Sequence, residues 1–66
     1  MIITLNGKSR DIPAGTTLQE LLDQLHIDCR TVVVEHNRQI VSRQQLAEIV
    51  LSADDSLEVI HFVGGG

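Results

Sequence analysis

A chain of 66 residues makes one domain, and its core is too small to enclose the cleft of roughly 300–1,000 Å³ in which enzymes hold a substrate, so size favours a carrier, binding module or inhibitor over a stand-alone enzyme. The formal net charge of −4, with no basic cluster, argues against nucleic-acid binding. No apolar run approaches the roughly 20 residues of a membrane span, and the single cysteine excludes an internal disulfide and, with no Cys/His spacing pattern, a structural zinc site.

Residues 1–5 are apolar and β-branched, and Asn6-Gly7 follows. Asn-Gly between extended segments is a strong hairpin signal, because both residues tolerate the positive φ of a type I′ turn. Residues 8–12 return as a second strand, and Pro13-Ala14-Gly15 stops it. Thr17 and Glu20 have capping-box spacing. Leu18, Leu21, Leu22 and Leu25 then form one apolar helical stripe, with Gln19, Glu20, Asp23 and Gln24 on the polar side, and the helix is expected to end near His26. Val32-Val33-Val34-Glu35 reads as a third strand. Asn37 marks a turn, Ile40-Val41 a short fourth strand, and residues 44–49 a weak helical segment or turn. Asp54-Asp55 makes a further turn, residues 57–63 form the last strand, and Gly64-Gly65-Gly66 follow it.

The order strand, strand, helix, strand, short strand, strand predicts an α+β domain of β-grasp (ubiquitin-like) fold. A mixed four- to five-stranded sheet should pack on one main helix. The domain is expected to span residues 1–63, with 64–66 as a flexible glycine tail. The N-terminus carries no basic region ahead of an apolar stretch, so no signal peptide is expected and the cytoplasm is the default location.

Three consecutive glycines have no use in a packed core, since each costs more backbone entropy to order than any other residue. Three to four extended residues reach roughly 10–14 Å. Without Cβ atoms, such a tail fits a channel too narrow for other residues and leaves a terminal carboxylate uncrowded. That carboxylate, with a reference pKa of about 3.3–3.7, is ionised at neutral pH. It is then a good nucleophile toward phosphorus and a poor acyl electrophile, so acyl chemistry requires prior activation, for example adenylation with ATP. The chain has no Gly-rich loop–Lys motif to hold ATP, which a partner must therefore supply. The competing reading of the glycines is an inert tail or a cloning remnant.

Over essentially its whole length the chain resembles the bacterial ThiS family, the sulfur carriers of thiamine thiazole synthesis. The resemblance is carried by Leu5-Asn6-Gly7, by Thr17-Leu18-Gln19-Glu20-Leu21-Leu22, by Val34-Glu35-His36-Asn37-Arg38-Gln39-Ile40-Val41, and by Leu57-Glu58-Val59-Ile60-His61-Phe62-Val63-Gly64-Gly65-Gly66. The first two segments are generic; the last two together are specific. The resemblance implies that an E1-like adenylyltransferase converts the Gly66 carboxylate to an acyl-adenylate. Sulfur from a cysteine persulfide then displaces AMP to leave a thiocarboxylate, and thiazole synthase takes that sulfur into the ring. The protein would be a co-substrate with no cofactor of its own, while ATP is used by its activating partner. Gly64 and Gly65 would thread the partner's active site. The terminal glycines also fit the small subunit of molybdopterin synthase, although those chains are typically longer. A non-carrier ubiquitin-like interaction module and a lysine-conjugated modifier stay open as alternatives.

Three residues depart from the family pattern. Asp54 stands where Gly is common, and a positive φ is expected there because Asp tolerates the left-handed region. Ser42 replaces a common Pro, which should loosen a turn. His36 replaces an aliphatic residue. In the last strand, alternation puts Leu57, Val59 and His61 on one face and Glu58, Ile60 and Phe62 on the other. If the first set faces the helix, Ile60 and Phe62 form a docking face for partners, which Ile2 and Val33 can join. Cys29 reads as a small hydrophobe rather than a sulfur site. His26, His36 and His61 show neither metal spacing nor a nucleophile partner, so they read as structural or surface residues.

Overall fold

The computed structural model describes residues 1–62. Five strands and one helix follow in the order β1 (Ile2–Leu5), β2 (Lys8–Asp11), α1 (Leu18–Gln24), β3 (Val32–His36), β4 (Gln39–Val41) and β5 (Ser56–His61). Short 3₁₀ turns at Cys29–Thr31 and Arg43–Gln45 precede β3 and follow β4. The strands form one sheet in the order β2-β1-β5-β3-β4. β5 runs parallel to β1 and antiparallel to β3, and both hairpins are antiparallel, so the sheet is mixed. The predicted α+β arrangement on one main helix is the one observed.

Asn6 and Gly7 take φ values of 49° and 80°, both positive as a type I′ turn demands. The second hairpin uses Asn37 and Arg38, with φ of 50° and 71°. Arginine gains nothing locally from that conformation, so the short β3–β4 connection imposes it. Asp54 has φ 70°, as its place in the chain led us to expect. Ser42 takes φ −81°, and Gln45 Oε1 accepts bonds from its N–H and hydroxyl at 2.9 and 3.2 Å.

Helix α1 has its first amides fully occupied. Thr17 and Glu20 form the reciprocal capping box, at 3.1 and 3.0 Å. The next two orphan donors are met from far along the chain: Leu18 N–H donates to the Ile49 carbonyl and Gln19 N–H to that of Leu46, each at 3.0 Å. Residues 44–49 form the short helical turns expected of them, and the carbonyls of Leu46 and Ile49 also serve as a backbone cap for the helix. Leu46 and Leu51 are buried beneath it. Leu18, Leu21 and Leu22 bury completely against Ile3, Val34, Leu57 and Val59 from the sheet, while Leu25 packs half-buried at the edge of the core.

The helix ends in a Schellman motif. Ile27 N–H reaches the Leu22 carbonyl at 2.9 Å and His26 N–H that of Asp23 at 3.1 Å. This places His26 in the left-handed region at φ 57°, where glycine is the usual occupant. The side chain is exposed and stands outside the core, so relief of backbone strain should outweigh the glycine's extra unfolded entropy. His26→Gly is therefore expected to raise stability by about 0.5–1 kcal/mol, measured as an increased urea midpoint at unchanged slope.

Candidate functional site

The strand that leads to the glycines is the central one of the sheet. Leu57 and Val59 point into the core and are buried, and Ile60 and Phe62 are 48% and 49% exposed on the other side. His61 shares the alternation of the buried set but is exposed, because it pairs with Val32 at the end of the β3–β5 ladder. Phe62 N–H donates to the Thr31 carbonyl at 3.2 Å, holding the backbone one residue past β5. Gly64, Gly65 and Gly66 lie outside the described residues, as does Val63.

The open face is built from register. Val33 stands directly opposite Ile60, so it joins the expected docking surface. Ile2 shares the face but not the place. Thr4 pairs with Ser56, and the Asp54 N–H donates to the Ile2 carbonyl at 2.8 Å. Ile2 is therefore level with Asp54, roughly 20 Å along the strands from Ile60. The position closer to the apolar group was not visible in the sequence: Ile40 of β4, 72% exposed, stands opposite Glu35, which stands opposite Glu58.

Two polar devices fix β5 and its approach. β1 ends its ladder with Leu5 opposite Leu57. Beyond it the Asn6 side chain takes over both backbone groups of Val59, with Oδ1 accepting from its N–H at 2.7 Å and Nδ2 donating to its carbonyl at 3.3 Å. An amide side chain has one donor and one acceptor to match a strand edge. The sequence showed Asn6 only as a turn former, because its partner is 53 residues away.

The second device joins the β3–β4 hairpin to the turn before β5. Asp55 Oδ2 accepts from His36 Nε2 at 2.8 Å and from the Ser52 N–H at 2.9 Å, and its Oδ1 accepts from Asn37 Nδ2 at 3.1 Å. Asn37 Oδ1 accepts from the Ser56 N–H at 2.9 Å. His36 thus makes a structural hydrogen bond. Burial pushes the Asp55 carboxyl up, but the bonds from His36, Ser52 and Asn37 outweigh it and hold the group below its ordinary range.

Cys29 is half-buried in the first 3₁₀ turn and packs against the core. The described surface has no cleft that encloses a small molecule, and among the described residues no three His, Cys, Asp or Glu side chains converge as metal ligands. No described helix is long and apolar enough to cross a membrane. What the described part offers is a central strand paired on both edges and an apolar open face beside its exit.

Comparison with known proteins gives this arrangement its context. The model of the ThiS family matches residues 3–66. The sulfur carrier protein ThiS of Bacillus subtilis is 36% identical, with 98% of this chain and 100% of that protein aligned. Its Escherichia coli namesake is 32% identical with both chains covered in full. A thiazole synthase of Magnetococcus marinus is 47% identical over all of this chain, which spans only 20% of that protein's length. The crystal structure of the thiamine biosynthesis protein (ThiS) from Geobacter metallireducens superposes with a TM-score of 0.87 at 29% identity, covering both chains completely.

The Asp55 network carries a pH signature. A carboxylate with a depressed folded pKa contributes stability that is complete above its unfolded value of about 3.9 and is lost as pH falls through the folded value. Asp55→Asn is expected to lower stability at neutral pH, and its difference from wild type should shrink as the pH falls below the unfolded value of about 3.9 in urea titrations.

Proposed function

The chain belongs to the ThiS family, and from that premise we propose that it is a sulfur carrier of thiamine biosynthesis whose working group is the carboxylate of Gly66. The observation that carries this reading is the match to sulfur carriers that it covers in full, in a fold whose central strand runs toward Gly64-Gly65-Gly66. The chemistry of an ionised carboxylate sets the sequence of steps. An oxygen of Gly66 attacks the α-phosphorus of ATP on an E1-like adenylyltransferase, and pyrophosphate leaves. A persulfide sulfur then adds to the activated carbonyl carbon, and AMP leaves. Reductive cleavage of the sulfur–sulfur bond by a thiol frees the thiocarboxylate on Gly66.

Each role of this chain in those steps is passive and geometric. The missing side chains of Gly64 and Gly65 allow passage through a narrow channel to the partner's reaction centre. The Ile60 and Phe62 face holds the body of the carrier while the tail is engaged. ATP belongs to the activating partner, and the protein itself is a co-substrate rather than a catalyst. Thiazole synthase is the proposed acceptor; two relatives bear that name, and this chain spans 20% of each. Cytoplasmic location is the corresponding proposal, since nucleotide-dependent activation requires the ATP found there.

Two experiments test this function. Incubation with ATP, the adenylyltransferase and a persulfide sulfur source is expected to add about 16 Da, placed on Gly66 by peptide fragmentation so that it is distinguished from oxidation of Met1 or Cys29. Deletion of Gly66 should abolish the shift, and retained loading would sink the assignment. Separately, Ile60→Asp and Phe62→Asp are each expected to weaken binding to the adenylyltransferase by at least about tenfold, with thermal unfolding unchanged, because both positions are half-exposed and off the core.

A further inference from the structure

Two asparagines reach the central strand in the same way. Each opens a two-residue hairpin turn, Asn6 at φ 49° and Asn37 at φ 50°, and each turns its side chain back onto β5. Asn37 meets the strand where it begins, with Oδ1 accepting from the Ser56 N–H at 2.9 Å. Asn6 meets it at Val59, beyond the last residue that β1 pairs. The turn itself asks only for a residue that tolerates positive φ, which glycine does better. The side-chain bonds are therefore separable from the turn.

Backbone accounting shows what Asn6 adds. The Asn37–Ser56 and Phe62–Thr31 bonds set the alternation along β5. Ser56, Glu58, Ile60 and Phe62 give their backbone groups to the β3 edge, and Leu57, Val59 and His61 turn theirs to the β1 edge. On that second edge the Leu57 carbonyl accepts from the Asn6 N–H at 2.9 Å. β1 has then ended, and the Asn6 side chain carries the ladder one residue further by occupying both groups of Val59. Among the described residues nothing continues it at His61. Asn6 is thus the last support of β5 on this edge, and past it the strand is held by β3 alone.

The structure assigns Asn6 as a positioning residue for the reaction at Gly66: its amide pins the exit half of β5 and so sets the point from which the chain runs on to the glycines. This rests on the carrier reading above. Seven residues follow Val59 and four follow Phe62. Each residue released upstream adds soft dihedrals to the search for one reactive geometry, and a small misplacement of reacting atoms costs rate steeply. Ile60 and Phe62 keep their bonds to the β3 side without Asn6, so docking suffers less than chemistry.

Carrier-dependent exchange of pyrophosphate into ATP on the purified adenylyltransferase tests this, at a temperature where the variants compared are folded. Asn6→Gly keeps the turn and removes both bonds to Val59. It is expected to lower kcat about tenfold, with KM for the carrier within about threefold of wild type. Asn6→Asp serves if the glycine variant does not fold. It tolerates the same φ and keeps the bond from the Val59 N–H, but sets an oxygen against the Val59 carbonyl, so kcat should fall by about threefold or more. Asn37→Gly makes the matching change at the entry of the strand. It should lower the melting temperature and leave kcat within about twofold. In the free carrier, the Val59 amide of Asn6→Gly should exchange with deuterium at least about tenfold faster, relative to that of Val34, than in wild type. Unchanged relative exchange at Val59 overturns the assignment. So does a rise in KM alone, kcat within about twofold of wild type in the folded Asn6 variant, or an equal loss of kcat in Asn37→Gly. If wild type itself supports no exchange that depends on Gly66, the carrier reading fails first. If wild type does and the Asn6 variant matches it, only the role of Asn6 falls.

Discussion

Between β1 and β3 the sheet has room for one strand, and residues 56–61 fill it. Nearly everything else is arranged around that placement. β1 meets β5 in parallel, β3 meets it in antiparallel, and Asn6 extends the first contact past the end of β1. Leu57 and Val59 reach through to the leucines of α1, so the helix is fixed by the same strand. A strand held on both edges and one face has little freedom to shift. Phe62 is therefore held at a fixed point, which suits the carrier role proposed above.

This fixity also explains how polar side chains are used. The chain spends few of them on the core: among the described residues Thr16 is the buried polar one, and its hydroxyl bonds the Pro13 carbonyl. Polar bonds cluster instead at the entry and the middle of β5. The His36, Asn37 and Asp55 set anchors its entry, and Asn6 guards its middle. The open face is left to apolar and acidic groups.

Local features were legible in the sequence because their causes are local. Asn6-Gly7 has the backbone freedom of its turn, Thr17 and Glu20 cap the start of the helix, and Asp54 takes the positive φ that Asp tolerates. Alternation along residues 57–62 correctly separated the core from the open side up to the end of the ladder. What escaped depends on register between distant segments. No local rule pairs Asn6 with Val59, sets Glu35 against Glu58, turns residues 46–51 into a helix cap, or removes Ile2 from the neighbourhood of Ile60. His36 was visible as a departure, but its acceptor lies in a turn 19 residues later.

The central strand is also the last one in chain order, and that has a consequence during synthesis. A polypeptide leaves the ribosome amino end first, so β1, β2 and β3 emerge before the strand that must separate and join them. Until residues 56–61 are clear of the exit tunnel, β1 and β3 each expose an unpaired edge, and the leucines of α1 lack Leu57 and Val59. Closure waits on contacts between sequence-distant segments, which are the slow ones to form. A nascent chain cut short before this point would lack both the folded body and the segment bearing the glycines. Folding thus acts as a completeness check: only a chain translated through β5 gains the closed sheet.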